Sequence, residues 1–170
     1  KYKYSFKKED INKLKKYNFI NLIGMGGSTL GTEAIYDFLN LKIKKKIKFY
    51  NNLNSEIDLK SKKNSLNLVI SKSGNTLETI SNFNLILNSQ RNNKNIVITE
   101  HKSSFLSKLA NKLKAEIIEH KNYIGGRYSV LSEVGMLPAQ LLGLKESKFK
   151  RLNHLIKNQN FLNELIYNVN

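Results

Sequence analysis

The apolar and polar positions of this chain follow two different periods. Short, nearly unbroken apolar runs lie at Asn18–Ile23, Leu66–Ile70, Asn95–Thr99 and Ala115–Glu119. Runs of this kind, bounded by glycine or polar residues, predict buried strands. Ile43–Tyr50 mixes lysine with apolar residues and predicts a further strand with Ile43, Ile47 and Phe49 inward. Between these runs the spacing becomes helical. Leu77, Ile80, Phe83 or Asn84, and Leu87 form the inward set of a helix from about Thr76 to Asn88. Leu106, Leu109 and Leu113 do the same for Ser103–Leu113, and another helix passes through Ala34, Ile35, Phe38 and Leu39. Residues 1–17 predict a lysine-flanked helical lead-in with Ile11, Leu14 and Tyr17 on one side. Ser129–Leu142 predicts a helix that Pro138 should bend or interrupt. Residues 51–64 are polar and irregular, with a short helix expected near Ser55–Leu59, and a last helical region runs from Glu146 to about Tyr167. Apolar strands alternating with helices indicate an α/β fold, a three-layer αβα sandwich around a five-stranded, mainly parallel sheet.

In such a sheet, ligands sit beyond the carboxyl ends of the strands. Three loops that follow strands carry chemistry. The first is Gly24-Met25-Gly26-Gly27-Ser28-Thr29-Leu30-Gly31. It is not a dinucleotide fingerprint: position 29 is Thr, and Tyr50-Asn51-Asn52 closes the next strand without an acid for a ribose hydroxyl. A Walker loop is absent as well. The second is Ser71-Lys72-Ser73-Gly74-Asn75-Thr76, between a strand and a helix start. Ser71, Ser73 and Thr76 supply hydroxyls, Lys72 a charge, and Gly74 a close backbone approach, at a helix end that attracts anions. A cradle for a phosphorylated small molecule fits these residues. So does a plain turn with a capping box from Asn75 to Glu78. The third is Gly125-Gly126-Arg127. A guanidinium after two glycines could stabilise an oxyanion or enediolate, or make a surface salt bridge beside a cap at Ser129.

Composition narrows the classes. The chain has 170 residues, suited to one domain, and begins at Lys1 rather than Met, as a segment of a longer protein would. The net charge is +16, yet among 29 basic residues only Arg91, Arg127 and Arg151 are arginine. Lysines gathered at 42–48 and 60–63 read as solvated edges, so no nucleic-acid partner is expected. Cysteine is absent, which excludes disulfides and thiolate metal sites and suits a cytoplasmic setting. No apolar run is long enough to span a bilayer, and no membrane partner is expected. No metal or cofactor is expected either.

The three loops, in their order, resemble the glucose-6-phosphate isomerase (phosphoglucose isomerase) family, which is built from sugar-isomerase (SIS) domains. The family has an I-G-x-G-G-S-x-x-G loop, here Ile23–Gly31, and an S-K-[ST]-x-x-T-x-E-T cradle, here Ser71–Thr79. It also has a G-G-R-[FY]-S signature, here Gly125–Ser129, leading into a helix with a glycine, here Gly135. The resemblance covers about residues 18–145. It implies that Gly27 and Ser28 approach the substrate, and that Ser71, Lys72, Ser73 and Thr76 hold the phosphate, with Gly74 and Asn75 shaping the loop. Arg127 would stabilise the enediolate, and Glu78, Gly125 and Gly126 would play supporting parts. The implied organisation is a single SIS domain over residues 1–170, with lead-in 1–17, core 18–145 and a C-terminal helix 146–170 leading to a second domain outside this chain. The implied activity is aldose–ketose isomerisation of glucose 6-phosphate and fructose 6-phosphate in a homodimeric parent protein.

The family's proton-moving carboxylate, and a lysine and histidine linked to ring opening, lie in that second domain, so this segment alone is expected to be inactive. His101, His120 and His154 read as structural or solvated, and Glu119 and Glu133 as strand-end and helix-surface residues. A non-catalytic SIS module that senses a phosphosugar is the alternative.

Overall fold

The structure is a computed structural model and describes residues 2–53, 64–90, 93–149 and 151–169. Five strands form one sheet: β1 (Phe19–Gly24), β2 (Lys46–Tyr50), β3 (Ser65–Ile70), β4 (Lys94–Thr99) and β5 (Glu116–Glu119). Their order is β2-β1-β3-β4-β5, and every neighbouring pair is parallel. Among the described residues the α-helices are α1 (Lys8–Leu14), α2 (Leu30–Phe38), α3 (Leu77–Ser89), α4 (Phe105–Lys112), α5 (Glu133–Leu141), α6 (Glu146–Phe149) and α7 (Gln159–Val169).

Both faces of the sheet are covered, which is why the central strands read as unbroken apolar runs. Leu66, Leu68 and Ile70 of β3 join Ile20, Leu22, Ile96 and Ile98 on one face, beneath Ile11 and Leu14 of α1 and Val134, Leu137 and Leu141 of α5. Ile23, Val69 and Val97 lie on the other, beneath Phe83 and Ile86 of α3 and Leu106 and Ala110 of α4. The lead-in helix therefore belongs to the same core as the sheet. One row across the sheet is polar. Asn21, Asn67 and Asn95 are register partners on β1, β3 and β4. Asn21 Nδ2 donates to Asn67 Oδ1 at 2.8 Å and to Gln90 Oε1 at 3.0 Å, and Asn67 Nδ2 donates to Asn95 Oδ1 at 2.8 Å. A slip of one residue would break this ladder inside the core, so it holds the register.

Several helix limits differ from the sequence reading, each for a local reason. The helix after Gly-Gly-Arg starts at Glu133, not Ser129, because Ser132 is its N-cap while the Ser129 hydroxyl folds the preceding turn. That helix continues through Pro138. Proline cannot donate to the carbonyl four residues back, that of Val134, and Thr32 Oγ1 of α2 donates to it instead at 3.3 Å. In α3 the buried set is Thr79, Asn82, Phe83 and Ile86; Ile80 and Leu87 are partly buried, and Leu77 is exposed. The inner stripe is partly polar because Asn82 Nδ2 donates to Asn52 O beyond the end of β2. Leu113 is exposed because α4 ends at Lys112 and the chain turns through a left-handed Lys114. Beyond Lys145, residues 146–149 form α6, residues 151–157 a 3₁₀ stretch and residues 159–169 α7, rather than one helix, with Asn158 capping α7 through Phe161 N. The short helix expected near Ser55–Leu59 lies outside the described residues.

Candidate functional site

The strand order places a site before any side chain is considered. β2 lies on one side of β1 and β3 on the other, so the winding reverses between β1 and β3. A crevice opens beyond the carboxyl ends of strands at such a reversal. Gly24 and Ile70, the last residues of β1 and β3, are register partners there. The glycine loop follows one and the Ser71–Thr76 turn follows the other.

In the turn, three hydroxyls converge. Thr76 Oγ1 lies 3.0 Å from Ser71 Oγ and 3.4 Å from Ser73 Oγ. Ser71 Oγ accepts from Gly74 N at 3.1 Å, and Ser73 Oγ accepts from Asn75 N at 3.2 Å. Gly74 has φ +67°, and a Cβ there would lie 2.2 Å from Ser104 Oγ, so both conformation and space require glycine. Thr76 is the N-cap of the 13-residue α3 and its side chain makes no capping bond. The first amides of α3 thus lack a capping side chain, as an anion site requires. The expected capping box is not formed. Asn75 Oδ1 instead accepts from Phe105 N at 2.9 Å, covering the start of α4, and Glu78 sits half-buried in the first turn of α3. The capping box with both halves present is on α4, between Ser104 and Ser107.

The glycine loop and the Gly-Gly-Arg loop meet backbone to backbone. A Cβ on Gly27 would lie 2.4 Å from Gly126 O and 2.9 Å from Arg127 N. Ser129 Oγ donates to Gly126 O at 2.6 Å and lies 3.4 Å from Gly27 O. Arg127 is exposed and, among the described residues, has no carboxylate partner. The surface salt bridge allowed by the sequence is therefore not formed among these residues. With Gly27, Leu30, Ile35, Phe38 and Val130, Arg127 lines a mainly apolar cavity of about 650 Å³. The hydroxyls of the Ser71–Thr76 turn and Lys72 are not among its walls.

Lys72 joins the second loop to the third. Its Nζ donates to Asn122 O at 2.8 Å, five residues before Arg127, and lies 3.5 Å from Glu100 Oε1. Glu100 follows β4, and its other oxygen bonds Lys102. That Lys102 bond, with the nearby Lys72 charge, holds the Glu100 carboxyl below the usual range. The backbone is tied too: Glu100 N donates to Lys72 O at 3.1 Å, and Ser71 N to Ile98 O at 3.0 Å. His120, just after β5, is buried, and burial pushes its ring below the ordinary histidine range. His101 and His154 are exposed. Glu119 pairs with Lys121. Glu133 departs from its expected helix-surface place. It is fully buried, because Tyr2 Oη and Ser5 N donate to its two oxygens at 2.5 and 2.8 Å. No three His, Asp or Glu side chains gather as a metal site among the described residues.

Sequence reasoning missed Glu100 and Ser104, and it read Glu133 as a helix-surface residue. Only Glu100 carried a local signal, as an acid one residue beyond a strand's carboxyl end, on the rim.

Comparison with known proteins bears on the same loops. The family model described as "Phosphoglucose isomerase" matches residues 11–164. A curated protein named glucose-6-phosphate isomerase, from Methanocaldococcus jannaschii, is 35% identical over 172 residues, covering 91% of this chain and 42% of that protein. The chain thus spans less than half the length of that relative. Among solved structures, a hypothetical protein from Thermus thermophilus aligns with TM-score 0.70 and 24% identity, over 81% of this chain and 37% of that one. A tagatose-6-phosphate ketose/aldose isomerase from Escherichia coli aligns with TM-score 0.65 and 16% identity, over 92% of this chain and 47% of that one. These two likenesses show the fold, an SIS-type αβα sandwich. With three ordered loops on one rim of a parallel sheet and a family match across most of its length, the chain belongs to the phosphoglucose isomerase family.

Proposed function

We propose that this chain is the phosphate-holding part of an aldose–ketose isomerase that interconverts glucose 6-phosphate and fructose 6-phosphate. The observation that carries the reading is the junction of loops at the strand-order reversal. Gly27 abuts Gly126 and Arg127, and Lys72 reaches the loop that leads to Arg127. The phosphate dianion sits at the start of α3, taking bonds from Ser71, Ser73, Thr76 and first-turn amides, with the Lys72 charge nearby and Gly74 and Asn75 shaping the turn. Charge-assisted bonds of this kind are about twice as strong as neutral ones. Gly27 and Ser28 flank the sugar. Arg127, exposed and free of a carboxylate among the described residues, stabilises the enediolate that forms between C1 and C2. A phosphosugar sensor has no use for such a group. Glu78, Gly125 and Gly126 support the site. The reaction also needs a base within hydrogen-bond reach of the moving proton. We assign that base to a second SIS domain outside this chain, within a homodimeric cytoplasmic parent protein.

The test compares the isolated chain with the full-length parent protein. Sugar phosphate binding to the chain is followed by calorimetry, and turnover of fructose 6-phosphate by a coupled assay. The chain binds without turnover, the parent turns over, and Lys72→Ala with Ser73→Ala abolishes binding. Unchanged binding in that double variant rejects the phosphate assignment. Robust turnover by the isolated chain rejects a base outside it.

A further inference from the structure

Residues Tyr2–Phe6 precede α1 and are not helical. They lie against the segment that follows Arg127. Tyr2 Oη and Ser5 N each donate to one oxygen of Glu133, and Tyr4 Oη donates to Leu131 O at 3.3 Å. The three rings brace one another: Tyr2 meets Tyr4 edge-on at 5.1 Å, and Tyr4 stacks on Phe6 at 4.9 Å.

We propose that Tyr2–Phe6 is a strap that positions the Gly125–Tyr128 turn, and with it Arg127, through Glu133 as a positioning residue. The inference rests on the role proposed above for Arg127. A fully buried carboxylate is costly unless each oxygen has a donor, and an apolar side chain would fill the same space at less cost. Among the described residues, both donors to the Glu133 carboxyl group come from the strap, so this buried polar group marks a specific tie. Glu133 also opens α5, where the helix dipole favours an anion.

From Glu133 the path to the turn is continuous. Ser132 is the cap of α5, and its hydroxyl donates to Ser129 O at 2.6 Å. The Ser129 hydroxyl donates to Gly126 O at 2.6 Å, and Tyr128 N donates to Gly125 O at 3.0 Å. Tyr2 also borders the turn directly, lining a cavity of about 410 Å³ with Tyr123, Ile124, Gly125 and Tyr128. Neither the strap nor Glu133 contacts the Ser71–Thr76 turn through these bonds. Loosening the strap therefore displaces Arg127 and leaves the phosphate site in place.

The test uses the full-length protein with Tyr2→Phe and, separately, Glu133→Gln. Both keep shape and remove part of the tie, and Tyr2→Phe answers the question if Glu133→Gln fails to fold. Amide hydrogen exchange at Tyr128 and Ser129 quickens about tenfold while α4 keeps its protection. The kcat for fructose 6-phosphate falls about tenfold and KM changes less than about twofold, the pattern of an interaction made in the transition state. Unaltered exchange at Tyr128 and Ser129 overturns the strap, as does quickening shared equally by α4. A fall in kcat matched by a rise in KM overturns it too. A wild-type protein with no isomerase activity rejects the proposed function, and the exchange comparison still decides the strap.

Discussion

Gly27 has no room for a side chain, and what would meet it is backbone: Gly126 O at 2.4 Å. A carbonyl cannot turn aside as a side chain can, so Gly27→Ala must push the glycine loop and the Gly-Gly-Arg loop apart. The expected cost to folding is about 1–3 kcal/mol, the range for overpacking. The loss of turnover by the full-length protein is expected to be about a hundredfold, because displacement near 1 Å is enough for that. Thermal unfolding and fructose 6-phosphate turnover check the two parts; an active, stable variant would show that the loops need not touch. At this scale the sequence revealed which residues could do chemistry, because glycines, hydroxyls and an arginine in fixed spacing are local signals. It did not reveal whom they touch. Asn75 caps a helix start 30 residues on, and Tyr2 bonds an acid 131 residues on. Glu133 was misplaced on a helix surface for that reason: nothing near it in sequence announces its donors.

The crossing of α2 and α5 shows how one element repairs another. Pro138 leaves Val134 O without its helix donor, and Thr32 Oγ1 takes the place. Thr32→Val keeps the shape and removes the donor, leaving a buried carbonyl unpaired at a cost of about 1–3 kcal/mol. In a Pro138→Ala background the helix can donate to Val134 O itself, so the same change should cost clearly less. Urea unfolding of the two single variants and the double variant measures this coupling; equal costs in both backgrounds would mean that the Thr32 bond is not compensating for proline. Strands were legible because a run buried on both faces needs no partner to be recognised. Helix limits were not. They turn on which of several serines, threonines and asparagines is spent on a cap and which on a neighbour, as Ser129, Ser132 and Asn75 illustrate. The Asn21–Asn67–Asn95 ladder was hidden in the same way, since three amides scattered through apolar runs become a row only when the register is known.

The whole molecule was legible as an alternation of strands and helices, and its rim as the place where three loops meet; the strand order, and hence the reversal between β1 and β3, came only from the structure. The rim is also where stability meets pH. His120 is held below its ordinary value of 6.5, first by burial, with the nearby Lys72 charge acting in the same direction; the Lys121 backbone bond, Glu133 and Glu100 oppose. As pH falls below about 6.5 the unfolded chain protonates this ring and the folded one resists. Stability is therefore full above that value and is lost as pH falls toward the folded pKa. Glu100, held below 4.5 mainly by its Lys102 bond, adds a second loss at lower pH. Glu33, raised above 4.5 by burial, works the other way, its contribution being present in acid and lost as pH rises. The general repulsion of a chain carrying +16 also grows in acid. Comparison with His120→Gln removes the shared contributions. Unfolding temperatures between about pH 7.5 and 5 should fall more steeply for the wild type than for this variant, whatever the variant's own starting stability. Parallel slopes would show that His120 takes up its proton equally in both states, and that the acid sensitivity of the rim lies elsewhere.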